Sequence, residues 1–249
     1  MSTLICQVKS QFPVGIVAMF GTLDSTSAAR MMVALRDVLA GAPTALIIDA
    51  EHLVVTSETG LRALLGLVTQ SHQWPGSTVS MCGTTPIIRE LIRQVGADGL
   101  AIYGDIDVAT EAATALPVPP RQSLTLDPVP TAPAESRRFA HDVCGDWGVP
   151  RVANLAELVA SELVTNAVTH ARTPMTVTLR LLDDTVSVDV RDADPRPMFR
   201  PNPGSGGRPG DEHGRGLLLL DAMADAWGTS PTADGKVVWA NIGVRKPLG

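Results

Sequence analysis

Two kinds of hydrophobic repeat alternate along the first half of the chain. Val14 to Phe20, Ala45 to Ile48, Val79 to Cys82 and Ala101 to Tyr103 are short apolar runs that predict buried strands. Between them Met32, Leu35 and Leu39, then Leu61, Leu64, Leu65 and Val68, then Ile88, Leu91, Ile92 and Val95 follow the i, i+3, i+4, i+7 spacing of a helix face. Alternating β and α segments predict a largely parallel sheet with a helix over each crossover, an α/β fold.

The pattern breaks at Leu116. Pro117, Pro119, Pro120, Pro128, Pro130 and Pro133 remove six backbone donors within 17 residues. A semi-rigid linker is therefore expected over residues 117–122, between a first domain at 1–116 and a second at 123–249. In the second part Ser123 to Leu126 alternates as an edge strand, and Glu135 to Trp147, with Phe139 and Val143 at i, i+4, reads as a helix. A longer helix is expected from Val152 to Ala171, with Leu155, Leu158, Val159, Leu163 and Ala167 on its buried side. Thr176 to Leu182 and Thr185 to Arg191 flank the acidic pair Asp183 and Asp184, which predicts a hairpin. Pro195 to Gly210 holds five prolines and four glycines in 16 residues, the composition of a mobile loop, and LLLLDAMADAW at Leu217 to Trp227 reads as a helix after it.

Composition narrows the function classes. The 249 residues are 45% hydrophobic and 18% charged, which sets aside wholesale disorder and collagen-like or coiled-coil repeats. Val14 to Phe20 spans seven residues, whereas a membrane helix needs about 20. The N-terminus MSTLICQVKSQF has neither a basic flank before an apolar core nor a small-residue cleavage site, so a cytoplasmic location is expected and a membrane partner is not. Net charge is −6, with 6 basic against 10 acidic groups up to residue 116 and 14 against 16 after it, so neither half is built to bind nucleic acid phosphates. Cys6, Cys82 and Cys144 are too scattered for a CxxC metal site or a disulfide framework and read as buried thiols.

The chemistry concentrates in SELVTNAVTHA. Glu162, Asn166 and His170 follow at i, i+4 and i+8, placing a carboxylate, an amide and an imidazole along one helical face. A carboxylate and an amide oxygen are hard donors that suit magnesium, which shares its remaining positions with waters and substrate phosphates. A solvated polar face accounts for the same spacing. Downstream, Asp192 closes a strand, and Gly214, Arg215 and Gly216 open a helix, where free amides and positive potential can hold phosphate.

Two resemblances follow from these residues. FGTLD at Phe20 to Asp24, LIIDAEHLVVTSETGL at Leu46 to Leu61 and CGTTPIIRELIRQVG at Cys82 to Gly96 resemble the STAS domain of anti-sigma factor antagonists. In that family a partner kinase phosphorylates a hydroxyl residue just before the helix that Gly60 opens here. The alignment puts Ser57 at the family's aspartate and Glu58 at its usual first serine. Three readings of this regulatory loop stay open: Glu58 as a fixed phosphoserine mimic, Thr59 as the phosphoacceptor, and Ser57 as a simple helix cap.

The second resemblance rests on SELVTNAVTHA, VRDADPRP, HGRGLLLLDAMADAWG and DGKVVWA, which in this order look like the anti-sigma factor serine kinase branch of the GHKL (HATPase_c) superfamily. It implies an α/β sandwich, the Bergerat ATP-binding fold, with ATP and Mg2+ as cofactors. Carried over, Glu162 would be the general base, Asn166 the magnesium ligand, Asp192 the acceptor for the adenine amine, and Gly214, Arg215 and Gly216 the phosphate cradle, with His170 a further phosphate contact or a helix end. Asp194 and Arg196 stand where the superfamily often has glycine. A sensor histidine kinase would need an upstream phosphoacceptor, and His141 in RRFAHDVCGDWG lacks that context. The expected function is therefore an ATP-binding anti-sigma factor or serine/threonine protein kinase, controlling transcription by partner switching. Its expected partners are a sigma factor, a STAS-type antagonist or a second copy of itself. The alternative is a non-catalytic ATP-binding switch or scaffold.

Overall fold

In the computed structural model, residues 3–96, 100–196 and 220–244 are described, and they divide into two units at Val118 and Pro119. The first unit is a five-stranded sheet in the order β1-β2-β3-β4-β5, made by β1 (Ile5–Ser10), β2 (Val14–Leu23), β3 (Ala45–Val55), β4 (Thr78–Cys82) and β5 (Ala101–Ile102). Strands β2 to β5 are parallel, as the alternating pattern predicts, and β1 pairs antiparallel on the edge. β1 was not legible as a strand because Ile5 and Val8 are exposed, so no buried periodicity marks it.

Three helices cover one face: α1 (Ala28–Ala40), α2 (Glu58–Gln73) and α3 (Pro86–Gln94). Met31, Leu35, Leu61, Leu64, Ile88 and Ile92 bury against Val17, Met19 and Ile48 of the sheet. A fourth, α4 (Ile106–Thr114), sets Ala109 and Ala113 against Val14, Ala45 and Ile47 on the opposite face. Strand β3 runs on through the polar stretch Asp49 to His52, carrying the chain directly to the start of α2.

The second unit begins earlier than expected. Pro120 already accepts a hydrogen bond from the Leu181 amide, and Arg121 and Gln122 belong to β6 (Arg121–Leu126), so only the start of the expected 117–122 linker lies outside the sheet. The sheet has the order β6-β7-β8-β10-β9, all antiparallel, from β7 (Met175–Leu182), β8 (Thr185–Asp192), β9 (Ala226–Pro231) and β10 (Lys236–Gly243). Asp183, at φ 46°, makes the β7–β8 turn. Helices α5 (Ala132–Asp146) and α6 (Ala153–Asn166) pack together and on one sheet face. The buried stripe of α6 runs through Ala156, Val159, Ala160, Leu163 and Val164, with Leu155 and Leu158 only half-buried; small side chains here and at Ala140 of α5 let the two helices approach closely.

The other sheet face buries charge. Arg180 Nη2 donates to Ser187 Oγ at 3.1 Å and to Asp189 Oδ2 at 3.3 Å, a pairing that a buried guanidinium requires. The expected helix Leu217 to Trp227 is corrected: Leu220 to Met223 is helical, but Ala226 and Trp227 pair with Asn241 and Ala240 as β9. Cys82 and Cys144 are buried free thiols and Cys6 is half-buried. Among the described residues no helix is long and apolar enough to cross a membrane.

Each unit has its own core, and cavity formation should register in each. Leu35→Ala and Leu163→Ala, both at fully buried positions, are expected to cost about 2–5 kcal/mol, measured as lowered urea midpoints.

Candidate functional site

The helix that carries Glu162 and Asn166 changes geometry at its end. It is α-helical to Asn166 and then makes a π turn over Ala167–Ala171, stopped by Arg172 in the left-handed region at φ 57°. A π turn closes i to i+5, so His170 does not stack directly over Asn166 as an uninterrupted α-helix would place it. Such single turns occur often at functional sites. Glu162 and Asn166 are half-buried, whereas His170 is exposed. The Glu162 carboxylate makes no hydrogen bond or ion pair among the described residues, and the Asn166 Nδ2 is buried without a partner. An unmade buried hydrogen bond costs roughly 1–3 kcal/mol, and a polar ligand would relieve it.

The π turn packs on β8. At the end of that strand Asp192 lies on the helix-facing side, in phase with Val186, Val188 and Val190. Directly opposite on β10 stands Lys236, in phase with Val238, Ala240 and Ile242. Lys236 Nζ donates to Asp192 Oδ1 at 2.9 Å, with the two side chains 9% and 2% exposed, so the pair is buried. The same ammonium donates to the Asp194 carbonyl at 3.0 Å and lies 3.7 Å from Asp194 Oδ2. Asp192 Oδ1 also accepts from the Asp194 amide at 2.9 Å.

Gly235 makes this closeness feasible. A Cβ there would fall 1.9 Å from the Asp192 carbonyl oxygen and 2.7 Å from the Ala193 Cα, both backbone atoms that cannot rotate away. The lysine that follows is thereby delivered onto the aspartate.

Asp194 and Arg196, which replace the expected glycines, continue the network outward. Arg196 Nε donates to Asp194 Oδ1 at 2.9 Å and its Nη2 to the His170 carbonyl at 2.9 Å, while Ala193 N donates to Thr173 Oγ1 at 3.1 Å. The segment after β8 is thus tied to the end of the π turn. The Arg196 side chain and amide, helped by Lys236, hold the Asp194 carboxyl down at about 2.

Three of the expected residues, Asn166, His170 and Asp192, are therefore gathered around one end of the second sheet, with Glu162 one turn before Asn166. Gly214, Arg215, Gly216 and the proline and glycine loop from Pro197 to Gly210 lie outside the described residues. Lys236 was missed. Among the described residues no group of three or more His, Cys, Asp or Glu could hold a metal.

In the first unit, the Ser57 Oγ accepts from the Thr59 amide at 3.2 Å, as an N-cap does, and Glu58 opens α2. Glu58 pairs with Arg62 one turn on at 3.1 Å on an exposed surface. Asp24, in the turn before α1, accepts from Thr26 and Ser27, which hold it at about 2.

Comparison with known proteins matches residues 6–109 to the STAS domain family and residues 127–242 to the histidine kinase-like ATPase domain family. An uncharacterised protein of Streptomyces coelicolor is 38% identical over 92 residues, covering 35% of this chain and 85% of that protein. Among solved structures, an anti-sigma factor antagonist from Mycobacterium paratuberculosis is 24% identical, with a TM-score of 0.40, over 45% of this chain and 95% of its own. An anti-sigma-factor antagonist (STAS) domain protein from Planctomyces limnophilus is 16% identical, with a TM-score of 0.39, over 45% and 98%.

Two outcomes test the geometry. Gly235→Ala is expected to destabilise the second unit by more than the roughly 1–3 kcal/mol of ordinary overpacking, because backbone must move; thermal unfolding measures it. A carboxyl depressed in the fold adds stability above its unfolded value of about 3.9 and loses it as pH falls through about 2. Asp194→Asn should therefore flatten the rise of stability between pH 2 and 4, read as the difference from wild type, since Asp24 adds a limb of the same sign to both proteins.

Proposed function

We propose, for a chain that joins a STAS domain to a histidine kinase-like ATPase domain, a partner-switching regulator whose second domain binds ATP at the end of its sheet. The observation that carries this reading is the buried, unpartnered Asn166 Nδ2 and the Glu162 carboxylate, which has no partner among the described residues, on the helix beside Asp192. ATP binding follows from the family of the second domain; the residue roles and the phosphotransfer are our proposal.

In this reading Asp192 Oδ2, which makes no hydrogen bond among the described residues, accepts from the adenine amine. Asn166 would hold a magnesium ion, which when bound would neutralise phosphate charge. Gly214, Arg215 and Gly216 cradle the phosphates, and His170 lies at the outer edge. Glu162 takes the proton from a serine or threonine hydroxyl as that oxygen bonds to the γ-phosphorus and the bond to the β-phosphate oxygen breaks, releasing ADP. The acceptor would be an antagonist of STAS type, and the output control of a sigma factor. A linker between the two domains can give an effective concentration of order mM, so the chain's own STAS domain, or that of a second copy, would compete with a separate antagonist.

A second reading, ATP binding without phosphotransfer, is favoured by two features. The STAS loop presents Ser57 as a cap and Glu58 in place of a hydroxyl, and Arg196 ties the mouth of the site to the His170 carbonyl.

ATP with magnesium at 100 times its Kd should stabilise the protein by about 2.7 kcal/mol. Asn166→Ala is expected to remove most of the resulting rise in Tm. Glu162→Ala should keep it and abolish transfer of labelled phosphate; loss of both would make the carboxylate a structural or metal-binding group. In the STAS domain Glu58→Ser should gain phosphate, read as a mass increase on residues 1–116, while wild type stays unmodified. Phosphate on wild-type Thr59 would overturn the mimic.

A further inference from the structure

The Lys236 ammonium has three N–H donors. Two are used, on Asp192 Oδ1 and on the Asp194 carbonyl, and Asp194 Oδ2 at 3.7 Å is an ion-pair contact beyond hydrogen-bond length. Among the described residues the third donor has no acceptor, and Asp192 uses only Oδ1, leaving Oδ2 open. The paired Asp192 and Lys236 side chains, 2% and 9% exposed, thus keep a second carboxylate oxygen and a third N–H without a partner among the described residues, on the helix-facing side of the sheet. A lysine that served only to neutralise Asp192 would leave that donor unmade in a site where an unmade hydrogen bond is costly.

The Watson–Crick edge of adenine is the complement of this pair: an amine donor at N6 beside a lone-pair acceptor at N1. We propose that Lys236 is a second base-reading residue, donating to adenine N1 while Asp192 accepts from N6. This rests on the reading that places adenine at Asp192, and it deepens that reading into a two-point test of base identity. Gly235 belongs to the device because a Cβ there would collide with the Asp192 and Ala193 backbone, next to the residue that Lys236 pairs with.

The test uses the full chain with magnesium throughout and compares Kd values for ATP, 1-deaza-ATP, in which N1 is replaced by C–H, and GTP. Wild type is expected to bind 1-deaza-ATP about 10- to 100-fold more weakly than ATP, the range that a hydrogen bond to a charged group supplies. GTP should bind more weakly than ATP. Lys236→Met should bind ATP and 1-deaza-ATP equally, both near the wild-type value for 1-deaza-ATP. Equal wild-type affinity for ATP and 1-deaza-ATP would overturn the role of Lys236 and leave the ATP site standing. Tighter binding of GTP than ATP would overturn it as well, as would a Lys236→Met protein that still discriminates against 1-deaza-ATP. No ATP binding by wild type would instead remove the underlying site. Should Lys236→Met fail to fold, through the unpaired Asp192 it leaves, the wild-type comparison decides alone.

Discussion

The second unit depends on a buried ion pair at the end of its sheet. Lys236 and Asp192 sit at one end of β10 and β8, on the face that the helices cover, where a single buried charge would cost several kcal/mol. Each charge makes the other tolerable, and the absence of a side chain at Gly235 lets the strands come close enough for the pairing. The consequence is directional. The apolar rows Val186–Val188–Val190 and Val238–Ala240–Ile242 build the core, and where those rows end the same phase delivers two charged groups to the end of the π turn. The fold and the site are therefore one construction: the register that packs the core also aligns the carboxylate and the ammonium.

The first unit follows a different logic. Its helices begin in local turns whose side chains accept from the first amides. Ser57 caps α2, Asp24 gathers the amides ahead of α1, and Thr85 caps α3. Glu58 sits in the first turn of α2, where negative charge is favourable by about 0.3–1 kcal/mol, and Arg62 shares that charge at the surface. A phosphoserine at the same place would carry more charge and more acceptor oxygens than a carboxylate. Glu58 therefore carries less charge than a phosphoserine would there, and Arg62 pairs with it at 3.1 Å on an exposed surface.

Much of this was legible in the sequence, and the gaps have physical causes. The helix faces of the first unit were visible because Leu35, Leu64 and Ile88 recur with the helical period, and the parallel sheet followed from the alternation. The Asp183 and Asp184 turn announced the β7–β8 hairpin. Ala226 and Trp227 were misread as helix because the run LLLLDAMADAW is rich in helix formers; pairing with β10 overrides that weak preference. The π turn at Ala167–Ala171 has no periodic signature in so short a segment. Asp192 was singled out through resemblance, whereas Lys236, inside the quoted DGKVVWA, was not singled out. Its signal was parity: in KVVWANI the lysine falls on the same alternate positions as Val238, Ala240 and Ile242, which marks it as facing the core. Asp194 and Arg196 were legible as departures, but only the structure shows them tying the strand end to the His170 carbonyl.

The central claim, that the end of this sheet reads an adenine base through Asp192, can be tested most directly without altering the protein. Isothermal titration of the full chain would compare ATP with purine riboside triphosphate, which lacks the N6 amine and is otherwise the same molecule. A hydrogen bond to a charged group is worth about 1.5–3 kcal/mol, so ATP should bind at least about 10-fold more tightly. Equal affinity for the two nucleotides would contradict the account, because Asp192 would then be a structural partner of Lys236 and nothing more.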